Sequence, residues 1–90
     1  MEQKKAAWFV YVLECVGGRL YTGIAVDVEK RFAAHLAGKG ARFTRSNKPM
    51  RILGSIKCGG RSEASKLEWA VKRMTQAQKR ETAGGWAAAQ

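Results

Sequence analysis

Acidic residues are scarce in this chain. Seven Asp and Glu stand against seventeen Lys and Arg, giving a formal charge of +10 over 90 residues and a pI near 10.2. On so small a surface, that imbalance predicts a polyanionic partner, most simply nucleic acid. An acidic membrane surface is the other polyanion that charge alone would allow. Cysteine is nearly absent: Cys15 and Cys58 are too few for a secreted disulfide scaffold and lack the spacing of a structural zinc site, so they read as reduced, buried thiols. Proline occurs once, which rules out proline-rich and collagen-like architectures. The apolar stretch from Trp8 to Leu13 stops at Glu14, too short for a membrane span or the core of an export signal. Reduced thiols without an export signal make a cytoplasmic protein the expectation. A single histidine, His35, excludes a multi-histidine metal site, and there is no phosphate-binding glycine loop, HExxH or CxxC.

With 46% hydrophobic residues, the chain holds material for one modest core. Trp8 to Leu13 reads as a central strand buried on both faces, because aromatic and β-branched residues run without alternation. Gly17 and Gly18 mark a turn, and Arg19 to Ile24 reads as the returning strand of a hairpin. Asp27 stands where a helix N-cap belongs and Gly38 where a helix-terminating glycine belongs, with Val28, Phe32 and Leu36 forming one apolar stripe between them. Residues 39 to 51 carry Lys39, Arg42, Arg45, Lys48 and Arg51 and no acid, and with Asn47 and Pro49 they read as a basic loop. Ile52 to Cys58 is a third strand. Ala64, Leu67, Val71 and Met74 place a stripe on a second helix starting near Ser62, and Gln76 to Glu81 reads as a short final helix. Residues 8 to 82 form the expected domain, with 1 to 7 and 83 to 90 as flexible termini. The order β-β-α-β-α(-α) predicts a two-layer α/β sandwich of the α+β type on a small mixed or antiparallel sheet.

Several side chains carry chemistry in this frame. Arg31 and His35 lie four residues apart, at the edge of the first helix's apolar stripe. They read either as a phosphate clamp with a proton-transfer group, or as a snorkelling Arg beside a boundary His. Tyr11 and Tyr21 sit on paired strands, where tyrosine is ordinarily packing material. Gly23 in a strand interior signals a bulge or a close approach by another backbone or a ligand. Glu68 borders the second helix's stripe, either as an i,i+4 partner of Lys72 or as a candidate Mg²⁺ ligand, since Mg²⁺ needs only one or two carboxylates. Trp69 lies off that stripe, and the expectation is that the last helix or tail folds over it; left uncovered, it and Trp86 would mark a partner surface.

Taken together, these residues resemble the GIY-YIG nuclease superfamily, and in particular its small stand-alone, single-domain members. The first motif is matched by Val10-Tyr11-Val12 and the second by Tyr21-Thr22-Gly23. Arg31 and His35 follow on the next helix and Glu68 on a later one, with Gly38-Lys39-Gly40-Ala41 between, so that the likeness spans residues 8 to 81. Two departures stand out: the first motif lacks its glycine and isoleucine, and the late asparagine of larger members has no counterpart, Asn47 being the only asparagine.

The resemblance implies a three-stranded antiparallel sheet flanked by helices, and divalent-metal-dependent cleavage of a phosphodiester. Tyr11 or Tyr21 would activate the attacking water. Arg31 would bind the phosphate, His35 would move a proton or bind phosphate, and Glu68 would hold Mg²⁺ or Mn²⁺. The substrate would be DNA rather than RNA, in a repair or recombination setting. Apart from the resemblance, no membrane contact is expected, and the oligomeric state is left open with a monomer as the default. A non-catalytic nucleic-acid-binding module on the same fold is the alternative. Lys39, Arg42, Arg45, Lys48 and Lys72 would meet backbone phosphates, and Phe43 would stack on an exposed base. Replacing Arg42 and Arg45 together by Ala is expected to weaken polynucleotide binding and flatten its salt dependence by about one unit per lost contact. A salt titration giving unchanged affinity and slope would remove this segment from the interface.

Overall fold

The computed structural model describes residues 6–89, with side chains through Trp86. Strands β1 (Trp8–Cys15), β2 (Leu20–Ala25) and β3 (Pro49–Cys58) form an antiparallel sheet in the order β2-β1-β3. Helices α1 (Val28–Leu36), α2 (Arg42–Ser46), α3 (Arg61–Lys72) and α4 (Gln76–Ala89) complete a β-β-α-β-α-α topology, with α2 as one short extra turn ahead of β3. Among the described residues, no helix is long and apolar enough to cross a membrane.

β1 is central, and its unbroken apolar run follows from that position. Val10, Tyr11, Val12 and Leu13 are each at most 1% exposed. Tyr11, Leu13 and Cys15 point to one side, where Ala25, Val28, Phe32 and Ile52 pack on them. Val12 points to the other, against Val71 and Ala83, with Leu67, Met74 and Trp86 around them. The helices therefore divide between the two faces, α1 and α2 on one and α3 and α4 on the other. Asp27 caps α1 by accepting from the Lys30 amide at 3.0 Å, and Gly38 ends it with φ +77°. Glu14 accepts from Arg51 Nε at 2.7 Å and from Arg80 Nη1 at 2.8 Å, while Arg80 Nη2 donates to the Gly18 carbonyl at 2.7 Å. The two guanidiniums hold the Glu14 carboxyl below its ordinary range, and Arg80 ties α4 to the β1–β2 turn.

Three expectations are corrected. The segment read as a basic loop contains α2 and the start of β3. Thr44 is 2% exposed and its hydroxyl donates to the Ala41 carbonyl, so one buried side chain winds a turn that the exposed cations around it conceal. The final helix, read as Gln76 to Glu81, runs on as α4 to Ala89. Gly84 and Gly85 argue against helix locally, but Ala83 is fully buried and Trp86, three residues on, packs on the same cluster. Tertiary packing overrides the propensity cost of two glycines. Trp69 is also left uncovered, at 63% exposure. Of the expected flexible start, residues 1–5 lie outside the described residues.

Gly54 makes the docking of α4 possible. A Cβ there would run into the Ala83 carbonyl, so the helix backbone rests directly on β3. Gly54→Ala is expected to cost about 1–3 kcal/mol, as overpacking against backbone does. Gly84→Ala, with open space around its Cβ, is expected to stabilise α4 by about 0.5–1 kcal/mol. Thermal melts of the two variants should shift in opposite directions; a shared direction would contradict this packing.

Candidate active site

The site grows from the pairing of β1 with β2. Tyr11 stands opposite Gly23 in register. A Cβ at Gly23 would lie 2.5 Å from the Tyr11 hydroxyl oxygen and 2.7 Å from Cζ. The ring therefore lies across β2 at the one point where that strand offers no side chain. The close approach that the glycine signals is made by a tyrosine, not by backbone.

The Tyr11 hydroxyl is 2.9 Å from His35 Nε2. His35, near the end of α1, is 1% exposed, so both ring nitrogens need partners. The second partner is Thr44 Oγ1, 2.7 Å from Nδ1, and the Thr44 hydroxyl itself donates to the Ala41 carbonyl at 2.9 Å. These bonds assign every proton. Thr44 uses its only proton on Ala41, so its oxygen accepts from His35 Nδ1–H; Nε2 then carries a lone pair and accepts from Tyr11 O–H. Gly40 completes the seat, since a Cβ there would run into His35 Nδ1. Thr44 escaped the sequence reading, and Gly40 and Ala41 entered it only as part of a matching stretch, with no role. The one available signal was that a buried histidine requires two hydrogen-bond partners.

Tyr21, half-buried, turns its ring edge to His35 at 5.0 Å between centroids and lies 6.3 Å from the Tyr11 ring. Phe43 on α2 stacks on Tyr21 at 6.0 Å and remains 38% exposed. One face of the phenyl expected to meet a base is thus already engaged.

Charge converges on the same point. Burial raises the Tyr11 pKa to about 12, with Tyr21 adding to the rise; the Arg31 guanidinium pulls it down and the Glu68 carboxylate pushes it up. Burial lowers the His35 pKa, and the positive charge of Arg31 lowers it further, so the imidazole stays neutral. Glu68 on α3, its side chain 22% exposed, is bridged by Lys72 Nζ at 3.3 Å. The structure thus brings Tyr11, Tyr21, Gly23 and His35 together, while Arg31 and Glu68 reach Tyr11 through their charges and Lys72 pairs with Glu68. Lys39, Arg42, Arg45 and Lys48 are exposed on α2 and its flanks, and among the described residues none forms a salt bridge. Asn47 is used locally, its Nδ2 donating to the Phe43 carbonyl at 3.1 Å.

Comparison with known proteins identifies the family of the fold that carries these residues. The family model described as the GIY-YIG catalytic domain matches residues 7–81. A UPF0213 protein of Cupriavidus pinatubonensis is 58% identical over 72 residues, covering 80% of each chain. A UPF0213 protein of Desulfotalea psychrophila is 44% identical over 80 residues, 88% of this chain and 73% of its own. The solution structure of a UPF0213 protein from Bacillus halodurans is similar at 33% identity and a TM-score of 0.56, over 90% of this chain and 86% of that one. That of a protein from E. faecalis is similar at 36% identity and a TM-score of 0.59, over 91% and 86%.

Thr44→Val keeps the shape but leaves a buried imidazole N–H without an acceptor, and is expected to cost about 1–3 kcal/mol. The depressed His35 pKa also makes stability pH-dependent. The unfolded imidazole takes up its proton around 6.5 and the native one only lower. The unfolded state therefore binds more protons below pH 6.5; the contribution is complete above that value and is lost as pH falls through the native pKa. Denaturant midpoints measured on both sides of pH 6.5 should fall on acidification in the wild type, and fall less in His35→Gln. Equal slopes would contradict a neutral buried His35.

Proposed function

The chain belongs to the GIY-YIG catalytic-domain family, and on that premise we propose that it is a divalent-metal-dependent endonuclease hydrolysing phosphodiester bonds in DNA, structured or single-stranded. The observation that carries this reading is the oriented chain Tyr11–His35–Thr44, with the charges of Arg31 and Glu68 acting on the tyrosine in opposite directions. A buried tyrosine hydroxyl needs a hydrogen-bond partner in any role; what favours this reading is that the partner is an imidazole nitrogen, a base able to take the proton.

At a pKa of about 12, only about one Tyr11 in 10⁵ would be phenolate near pH 7. The proton must therefore leave as the water attacks. The lone pair on His35 Nε2 receives it, and the Tyr11 oxygen takes a proton from the water that attacks phosphorus. Tyr11, rather than Tyr21, is the water-activating residue in this reading because its hydroxyl has that exit. Thr44 Oγ1 holds the Nδ1–H of the resulting imidazolium. Arg31 binds the phosphate and offsets its developing charge. Tyr21 packs edge-on against His35, and Phe43 stacks on Tyr21.

The residues present fit a magnesium ion held by one carboxylate. Glu68 is partly exposed and acts electrostatically on Tyr11, and Mg²⁺ keeps most of its waters. Among the described residues there is no group of three His, Cys, Asp or Glu to cage a metal, which argues against a zinc-type centre. Bound there, the ion would supply charge stabilisation at the scissile phosphate. Lys39, Arg42, Arg45, Lys48 and Lys72 supply phosphate contacts that carry no sequence choice.

Labelled single-stranded, duplex, flap and branched DNA, and RNA, incubated with Mg²⁺, Mn²⁺ or EDTA, test the reading. The wild type is expected to cleave only with metal. Glu68→Ala should lose turnover while keeping binding, and Tyr11→Phe should lose about 10²–10⁴-fold in rate. Salt-sensitive binding without cleavage under every condition would replace the enzyme by the binding module.

A further inference from the structure

The outward face of α3 carries an indole on which no other helix or strand packs. The helix buries Ala64 and Val71 and half-buries Leu67 and Glu68, so the next residue round, Trp69, projects outward at 63% exposure. The Arg73 guanidinium lies over its ring, 4.6 Å from the centroid. Arg73 is four residues C-terminal of Trp69. On the N-terminal side, a groove is lined by Arg61, Ser62, Ser65, Lys66, Trp69 and Ala70. Arg73 thus lies on the ring, Lys66 and Arg61 line the groove beside it, Arg61 also reaching over the Trp8 ring at 5.5 Å, and no carboxylate lines the groove.

Charge decides what fits here. A second copy of the chain docking by this face would bring Arg61, Lys66 and Arg73 against their own counterparts, because a two-fold contact apposes identical patches. A polynucleotide complements both properties, with π-faces for the indole and phosphates for the cations. Only unpaired bases expose such faces; those of a duplex are stacked on one another. We infer that this face of α3 is a second nucleic-acid contact, a platform on which an unpaired base stacks against Trp69 while Arg61, Lys66 and Arg73 meet the flanking phosphates. The inference rests on the nuclease reading and deepens it, naming strands with unpaired bases as the substrate class. Glu68 and Trp69, adjacent on α3, would link cleavage site and platform.

Fluorescence anisotropy with labelled oligothymidylate and with a hairpin duplex, in EDTA so that nothing is cut, tests it. Trp69→Ala is expected to weaken oligothymidylate binding by about ten-fold or more, as loss of base stacking does, with the duplex little changed. Trp69→Phe should restore most of the loss. The salt slope should be unchanged in Trp69→Ala and shallower by about one in Lys66→Ala. Circular dichroism and melting should match the wild type, since Trp69 supports no core. Undiminished oligothymidylate binding by Trp69→Ala, or an equal loss on both DNAs, would overturn the platform. So would a wild-type dimer in sedimentation that Trp69→Ala dissolves. Wild-type cleavage with Trp69-independent binding would remove the platform and leave the nuclease; Trp69-dependent single-strand binding without cleavage would do the reverse.

Discussion

A histidine with almost no solvent contact must have both ring nitrogens bonded inside the protein, and the rest of the site is arranged around that requirement. Thr44 meets one nitrogen and Tyr11 the other. Each partner brings its own constraint. Thr44 can accept from the imidazole only because its hydroxyl proton goes to Ala41, which requires the turn of α2. Tyr11 can reach across the sheet only because Gly23 lies beneath its ring, and Gly40 must leave room for the imidazole. Two glycines, one threonine and one carbonyl thus act through a single ring, and a change at any of them is felt at the Tyr11 hydroxyl.

The electrostatics follow from the same burial. Removing Tyr11 and His35 from water favours the neutral form of each, so the tyrosine keeps its proton and the imidazole does not acquire one. The resting site is therefore a neutral donor–acceptor pair inside a strongly basic protein. Arg31 sits between the two regimes: its charge favours the ionised tyrosine and disfavours the ionised histidine. The cations outside are suited to holding a polyanion, whereas the buried pair is suited to moving one proton.

Much of this was legible in the sequence. The central strand, the hairpin, the Asp27 cap and the Gly38 terminus follow from hydrophobic runs and turn chemistry, which are local. The tyrosines, Arg31, His35 and Glu68 were visible as a set. What was not legible depends on contacts distant in the chain. α2 is wound around one buried threonine in a segment whose composition reads as loop. α4 continues through Gly84 and Gly85 because Ala83 and Trp86 find a surface on the sheet, and that surface exists because Gly54 has no side chain. Gly23 announced a close approach, but not whose. Trp69 is exposed because α4 docks through Trp86 on the sheet and leaves the outer face of α3 bare.

The account stands on the protonation of one ring, and His35 is the only histidine in the chain, so its imidazole nitrogens can be observed alone. A long-range ¹⁵N–¹H correlation spectrum of the protein near neutral pH should show a neutral ring, protonated at Nδ1, with an unprotonated Nε2 that accepts a hydrogen bond. The Nε2 resonance should move when Tyr11 is replaced by Phe. A neutral ring protonated at Nε2 would reverse both imidazole bonds, and an imidazolium would reverse the one to Tyr11; either would remove His35 as the acceptor of the Tyr11 proton.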